Sequence, residues 1–233
     1  MSMLNIKAAD GGLFKGYIAL PQKQPAPGVV VLQEIFGIND FVRETTDALA
    51  QSGFVALAPD LFWRRKPGVE LHESQREEGQ SYLKSMSEPL AVTDSISAMQ
   101  ALRAHPACNG RVGAVGYCWG GKLAYLMAAR SNVDAAVSFY GVGLQAALAE
   151  VANIHAPLLV HLADADILCP PPAQEQIIAA MRQRADHISI EVYEGAGHAF
   201  ARRGGKPFMA IHAERANGLT SAFLIKHLHL EGL

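Results

Sequence analysis

Short apolar, β-branched runs alternate with longer amphipathic segments along the whole chain, and this alternation restricts the fold more than any other feature. The runs fall at residues 14–20, 28–32, 55–58, 112–115, 135–139, 158–162 and 188–193. Helical patterns occupy about 40–52, 74–104, 120–130, 172–184 and 207–229. Strands that alternate with helical segments form βαβ units, so the pattern predicts an α/β fold with a mostly parallel sheet and helices on both faces. Gly53, Gly110 and Gly113, with Pro21, Pro25, Pro27, Pro59, Pro106 and Pro157, punctuate the element ends. No internal repeat, low-complexity tract or long linker divides the chain, which reads as one domain over residues 1–233. The charged stretch 59–88 is the longest insertion between strands, and it leaves the carboxyl edge of the sheet, where ligands bind in such folds.

Half of the 233 residues are hydrophobic, enough for a sizeable core. A formal charge of −2 and a pI near 6.5 give no reason to expect nucleic acid or an anionic membrane as partner. Arg64-Arg65-Lys66 is too short to act as a basic tract. Cys108, Cys118 and Cys169 are odd in number and lack metal-ligand spacing, which fits a reducing compartment rather than a disulfide framework. The amino terminus has neither the basic segment nor the long apolar core of a signal peptide. No apolar run reaches the ~18 residues of a membrane span. The expectation is a soluble cytoplasmic protein, a monomer or small homo-oligomer, acting on a small molecule without metal or organic cofactor.

Gly116-Tyr117-Cys118-Trp119-Gly120-Gly121 follows one apolar run and precedes a helical pattern. It is the G-x-S-x-G nucleophile elbow with cysteine in place of serine. A residue at this turn sits in a strained backbone conformation, and the flanking glycines allow strand and helix to approach closely. The turn lifts the sulfur above the sheet and aims a helix N-terminus, with the Trp119 N–H, at the reacting centre. A buried, inert cysteine is the plainer alternative for such a turn.

A nucleophilic cysteine needs a base, and the base an orienting carboxylate, each on a loop after a later strand in the order nucleophile, acid, histidine. The run at 158–162 leads into Asp164-Ala165-Asp166, and Pro170 beyond favours Asp166 over Asp164 as the acid. The run at 188–193 leads into Glu194-Gly195-Ala196-Gly197-His198, which makes His198 the base. His161 reads as a core or supporting residue, while His227 and His229 read as solvated. The second oxyanion donor belongs to the loop Gln33-Glu34-Ile35-Phe36-Gly37, where the Ile35 N–H is the candidate to pair with that of Trp119. Glu34 is an unusual carboxylate for this position, because a negative charge beside a thiol favours its protonated form.

Five segments together resemble the dienelactone hydrolases (carboxymethylenebutenolidases): Gln33-Glu34-Ile35-Phe36-Gly37, Ala58-Pro59-Asp60-Leu61, the cysteine elbow, Phe139-Tyr140-Gly141-Val142-Gly143, and Ala196 to Arg202. The resemblance implies an α/β-hydrolase fold and a Cys118–His198–Asp166 triad that opens a lactone by acyl transfer to sulfur. It implies that Glu34 partners the resting thiol and turns toward Arg202 when substrate arrives. It also implies that Arg202 and Arg76 bind the substrate carboxylate, with Tyr82 and Tyr140 as further substrate-binding candidates. The family places a tyrosine and a tryptophan after the second arginine; here Gln80 and Leu83 fall at those spacings, and Tyr82 is displaced by two. A general carboxylesterase or thioesterase using the same triad is the rival reading, and a non-catalytic sensor of a small acid the more distant one.

Overall fold

The computed structural model describes residues 2–228. Eight strands lie in one sheet in the order β1-β2-β4-β3-β5-β6-β7-β8. The chain divides between Ala114 and Val115 into two compact units, and the boundary falls inside β5.

The amino-terminal unit holds β1 (Ser2–Lys7), β2 (Leu13–Ala19), β3 (Ala26–Leu32), β4 (Val55–Pro59) and the first part of β5 (Cys108–Tyr117). Three helices join them: α1 (Asp40–Gln51), α2 (Arg76–Lys84) and α3 (Glu88–Arg103). β1 pairs antiparallel with β2 and β2 with β4, whereas β3 and β4 are parallel. β3 and β4 are buried at every residue, as expected of continuous apolar runs covered on both faces. β1 has no counterpart in the sequence reading, because only Ile6 of its six residues is buried and its apolar residues Met3, Leu4 and Ile6 form no clean alternation.

The expected helix over 74–104 is two helices, separated at Ser85–Ser87. Pro89 stands in the first turn of α3, where its missing N–H costs nothing, whereas inside one continuous helix it would remove a backbone hydrogen bond and clash with the preceding turn. The charged insertion after β4 therefore contains a short helical turn, Glu73–Gln75, and α2. Its start is anchored by an ion pair between half-buried Arg64 and buried Asp94. Arg64 donates through Nε and Nη2 to the two oxygens of Asp94 at 2.7 and 2.8 Å, and Trp63 Nε1 donates to Asp94 at 2.8 Å.

The carboxyl-terminal unit holds the end of β5, then α4 (Trp119–Arg130), β6 (Ala135–Phe139), β7 (Leu158–Ala163), α5 (Pro171–Met181), β8 (Ile188–Tyr193) and α6 (Ala210–Leu228). β6, β7 and β8 are parallel neighbours. A 3-10 segment, Leu144–Asn153, follows β6 and was not expected from the sequence. His161 sits fully buried in β7, its ring nitrogens 2.9 Å from the Tyr193 hydroxyl and 3.0 Å from Thr220 Oγ1. His227 is half-buried against the Phe223 ring, 4.6 Å between centroids, rather than solvated. His229 lies outside the described residues. No helix among the described residues is long and apolar enough to cross a membrane.

Candidate active site

The carboxyl-terminal unit brings three loops together at the ends of β5, β7 and β8. Cys118 stands between β5 and α4 with φ 56° and ψ −114°, a conformation that costs an L-residue free energy. Glycine makes the turn sterically feasible: a Cβ on Gly116 would lie 1.9 Å from the Gly120 carbonyl oxygen. The turn is stapled to the loop after β6, since Cys118 N–H donates to Phe139 O at 3.0 Å and Val142 N–H donates to Cys118 O at 3.2 Å.

Asp166 is buried, and both of its oxygens are directed. Oδ1 accepts the Leu168 N–H at 2.8 Å, and Oδ2 lies 2.7 Å from His198 Nδ1. A carboxylate only accepts, so Nδ1 carries the shared proton and Nε2 is left for the Cys118 side chain, which also hydrogen-bonds His198. Burial pulls the His198 pKa down, but the hydrogen bonds to Asp166 and Cys118 outweigh it and push the value up to about 10. Asp164 does not orient the histidine. It contributes backbone, donating its N–H to Tyr193 O at 3.3 Å, while Ala165 N–H donates to Ala196 O at 3.0 Å. These two bonds tie the acid loop to the histidine loop.

Tyr140, at φ 38°, packs edge-on against the His198 ring at 5.2 Å between centroids and against Phe200 at 5.6 Å. Its N–H donates to His161 O at 2.8 Å. Arg202, four residues after His198, is half-buried at a turn in which its N–H donates to Ala199 O. Trp119 is buried as the first residue of α4.

In the amino-terminal unit, Glu34 and Ile35 are buried in the loop after β3. That loop is clamped from within its own unit. Gln33 Oε1 accepts the Leu61 N–H at 3.1 Å and Nε2 donates to Glu34 O at 3.4 Å, while Leu71 N–H donates to Phe36 O at 2.8 Å. Gly37 has φ +74°, and a Cβ there would fall 1.7 Å from Val69 O. Gly79 of α2 faces the Ile35 carbonyl so closely that a Cβ would sit 2.5 Å from it. Arg76 opens α2 and is exposed. Tyr82 is half-buried beside Phe62, its hydroxyl donating to Glu78 at 3.2 Å. Sequence reasoning missed the supporting residues Thr220 and Tyr193, and it placed Gln33 in the oxyanion loop without its clamping role, because a polar side chain does not name its partner.

The chain is similar to known proteins over nearly its whole length. A sequence model described as the dienelactone hydrolase family matches residues 14–228. The chain is 38% identical to the carboxymethylenebutenolidase of Pseudomonas putida, covering 95% of this chain and 94% of that one. It is 37% identical to carboxymethylenebutenolidase 1 of Cupriavidus pinatubonensis, covering 95% of each chain. The solved structure of a dienelactone hydrolase-like promiscuous phosphotriesterase from metagenomic libraries superposes with a TM-score of 0.80 at 23% identity, over 98% of this chain and 99% of that one. With its α/β-hydrolase fold and its match over nearly the whole length, the chain is a carboxylic ester hydrolase and belongs to the dienelactone hydrolase family.

Proposed function

We propose that the protein hydrolyses a small carboxylate-bearing enol lactone through a thioacyl intermediate on Cys118. The observation that supports this most is the His198 ring held between Asp166 Oδ2 at 2.7 Å and the Cys118 side chain. In this reading the Cys118 sulfur, once deprotonated, attacks the lactone carbonyl carbon. Negative charge builds on the carbonyl oxygen, and the N–H groups of Ile35 and Trp119 are its donors. The ring C–O bond then breaks, the enolate leaves with a proton from His198, and the acyl group stays on sulfur. Water that gives its proton to His198 Nε2 attacks the thioester, the C–S bond breaks to release the carboxylic acid, and the departing thiolate takes its proton back from Glu34, restoring Cys118. Glu34 receives the thiol proton, and Arg202 and Arg76 hold the substrate carboxylate; the family resemblance supports these roles. Tyr140, against the His198 ring, borders the acyl site. Three free cysteines support a reducing, cytoplasmic setting for this chemistry.

A broader esterase or thioesterase activity is the second reading, favoured by Gln80 and Leu83 at the family's aromatic spacings and by a Tyr82 hydroxyl already engaged by Glu78. A panel of enol lactones with and without a free carboxylate separates the two. The proposal expects kcat/KM to depend strongly on the carboxylate and the acyl adduct to be found by mass spectrometry on Cys118. Equal rates for neutral and acidic lactones favour the broader reading, and an adduct elsewhere rejects the thioacyl mechanism.

A further inference from the structure

Gln174 belongs to no motif, yet its side chain holds both ends of the loop that carries Asp166. It stands in the first turn of α5 and is buried. Its Nε2 donates toward three backbone carbonyls, Ala163 at 3.0 Å, Asp164 at 3.2 Å and Cys169 at 2.7 Å. The first two stand where β7 ends, and the third stands where the chain turns into α5. An amide nitrogen has two protons, so one of them is shared and its donor capacity is fully used.

The platform beneath this amide is stiff. Pro170, Pro171 and Pro172 have fixed φ, and the Ala173 and Gln174 N–H groups both donate to Pro170 O, at 2.8 and 3.1 Å. Otherwise the loop is held by single bonds from its own N–H groups: Asp166 to Ala163 O, Cys169 to Asp166 O, Leu168 to Asp166 Oδ1, and Asp164 and Ala165 to Tyr193 O and Ala196 O. At its tip Ile167 is 84% exposed and adds no packing. The amide is thus the cross-link between a rigid helix start and the two ends of the acid loop.

We propose that Gln174 is a positioning residue for catalysis: by bridging the two ends of the loop it keeps the Asp166 carboxylate on His198 Nδ1. The inference rests on the triad reading above. Orientation of the base is worth large factors in rate, because displacements of about 1 Å can cost on the order of 100-fold.

The test is Gln174→Met, which keeps the length of the side chain and removes the donor. The expected result with 4-nitrophenyl acetate is a kcat lower by about 10- to 100-fold at an almost unchanged KM. The far-downfield proton resonance of His198 Nδ1–H should broaden and move upfield. In an Asp166→Asn background the same substitution should change kcat by less than about twofold, since no carboxylate remains to be placed. Gln174→Ala, which opens room for water to take up the three carbonyls, is the second variant if Gln174→Met does not fold, and it should show the same pattern. A lowered melting temperature with unchanged kcat per folded enzyme and an unchanged resonance would overturn the inference. So would a full loss that persists in Asp166→Asn. Wild-type kcat in Asp166→Asn alone would overturn the triad reading itself, a result distinct from the other two.

Discussion

Among the described residues, the non-glycine positions with positive φ are Cys118, Tyr140 and Ala199. They stand in the loops after β5, β6 and β8, so the backbone strain collects around His198 rather than being spread through the chain. Such strain persists only where surrounding bonds over-determine it, and here Phe139 O, His161 O and the elbow glycines supply them. Cys118→Ala should keep the circular dichroism spectrum and lose the proposed lactonase activity, because the elbow accepts a small side chain but loses the proposed nucleophile. Cys118→Ser should also be poor, since a hydroxyl is far harder to deprotonate than a thiol. Retained activity in Cys118→Ala would remove the sulfur from the mechanism. Asp166→Asn should lower kcat by as much as ~10⁴, the size of the effect in serine proteases, by replacing the carboxylate with a neutral amide that can donate to Nδ1 and hold the wrong tautomer. Asp164→Asn should do far less, because the contribution of Asp164 is through its main chain. Steady-state kinetics of the two variants side by side checks the assignment.

At the scale of elements, the close crossing of α4 with the loop after β6 is set by Gly121. A Cβ there would meet Phe139 O at 2.6 Å and Gly141 Cα at 3.0 Å, both main-chain atoms that cannot rotate away. Gly121→Ala should therefore destabilise by about 1–3 kcal/mol, the usual cost of overpacking, and should disturb the elbow. Gly218, exposed within α6 with nothing within 4 Å of where a methyl group would stand, gives the opposite sign. Gly218→Ala should stabilise by about 0.5–1 kcal/mol through lower chain entropy and better helix propensity. Urea unfolding of both variants reads the two signs. The same physics explains what was legible in advance. Buried parallel strands write themselves as apolar runs and β8 as an alternation of apolar and polar residues, so β3 to β8 stand within a few residues of their expected places, and the order of Cys118, Asp166 and His198 along the chain pointed to the proposed triad. β1 was illegible because Met3, Leu4 and Ile6 form neither a continuous run nor a clean alternation, and the break at Ser85–Ser87 was obscured by helical periodicity on both sides of Pro89. Gln174 was illegible for another reason: its partners are backbone carbonyls, which leave no trace in side-chain pattern.

At the scale of the whole molecule, two histidines of opposite character give stability a dependence on pH with two limbs. His161 is fully buried, and burial, with a smaller contribution from the Arg215 charge, lowers its pKa from 6.5 to about 3. Between those values the unfolded chain binds a proton that the native state refuses, so stability should fall as pH drops from about 6.5 toward 3. Each such group contributes up to ~1.4 kcal/mol per pH unit. His198 lies on the other side. Burial opposes its charge, but Asp166 and Cys118 raise its pKa to about 10, so the native state holds a proton the unfolded chain has released. That contribution is full below about 6.5 and is lost as pH rises toward 10. The two limbs place the most stable range near pH 6.5. The Tyr193 hydroxyl and Thr220 accommodate a neutral His161 ring, and neither supplies a counter-charge to an imidazolium. His161→Asn should accordingly flatten the acid limb even though it lowers stability at neutral pH by leaving those hydroxyls without their partner. Cys118→Ala should instead flatten the alkaline limb, because it removes one of the two hydrogen bonds that raise the His198 pKa. Urea midpoints measured from pH 4 to 9 for the three proteins decide both expectations, and an alkaline limb unchanged in Cys118→Ala would show that Asp166 alone sets the proton affinity of His198.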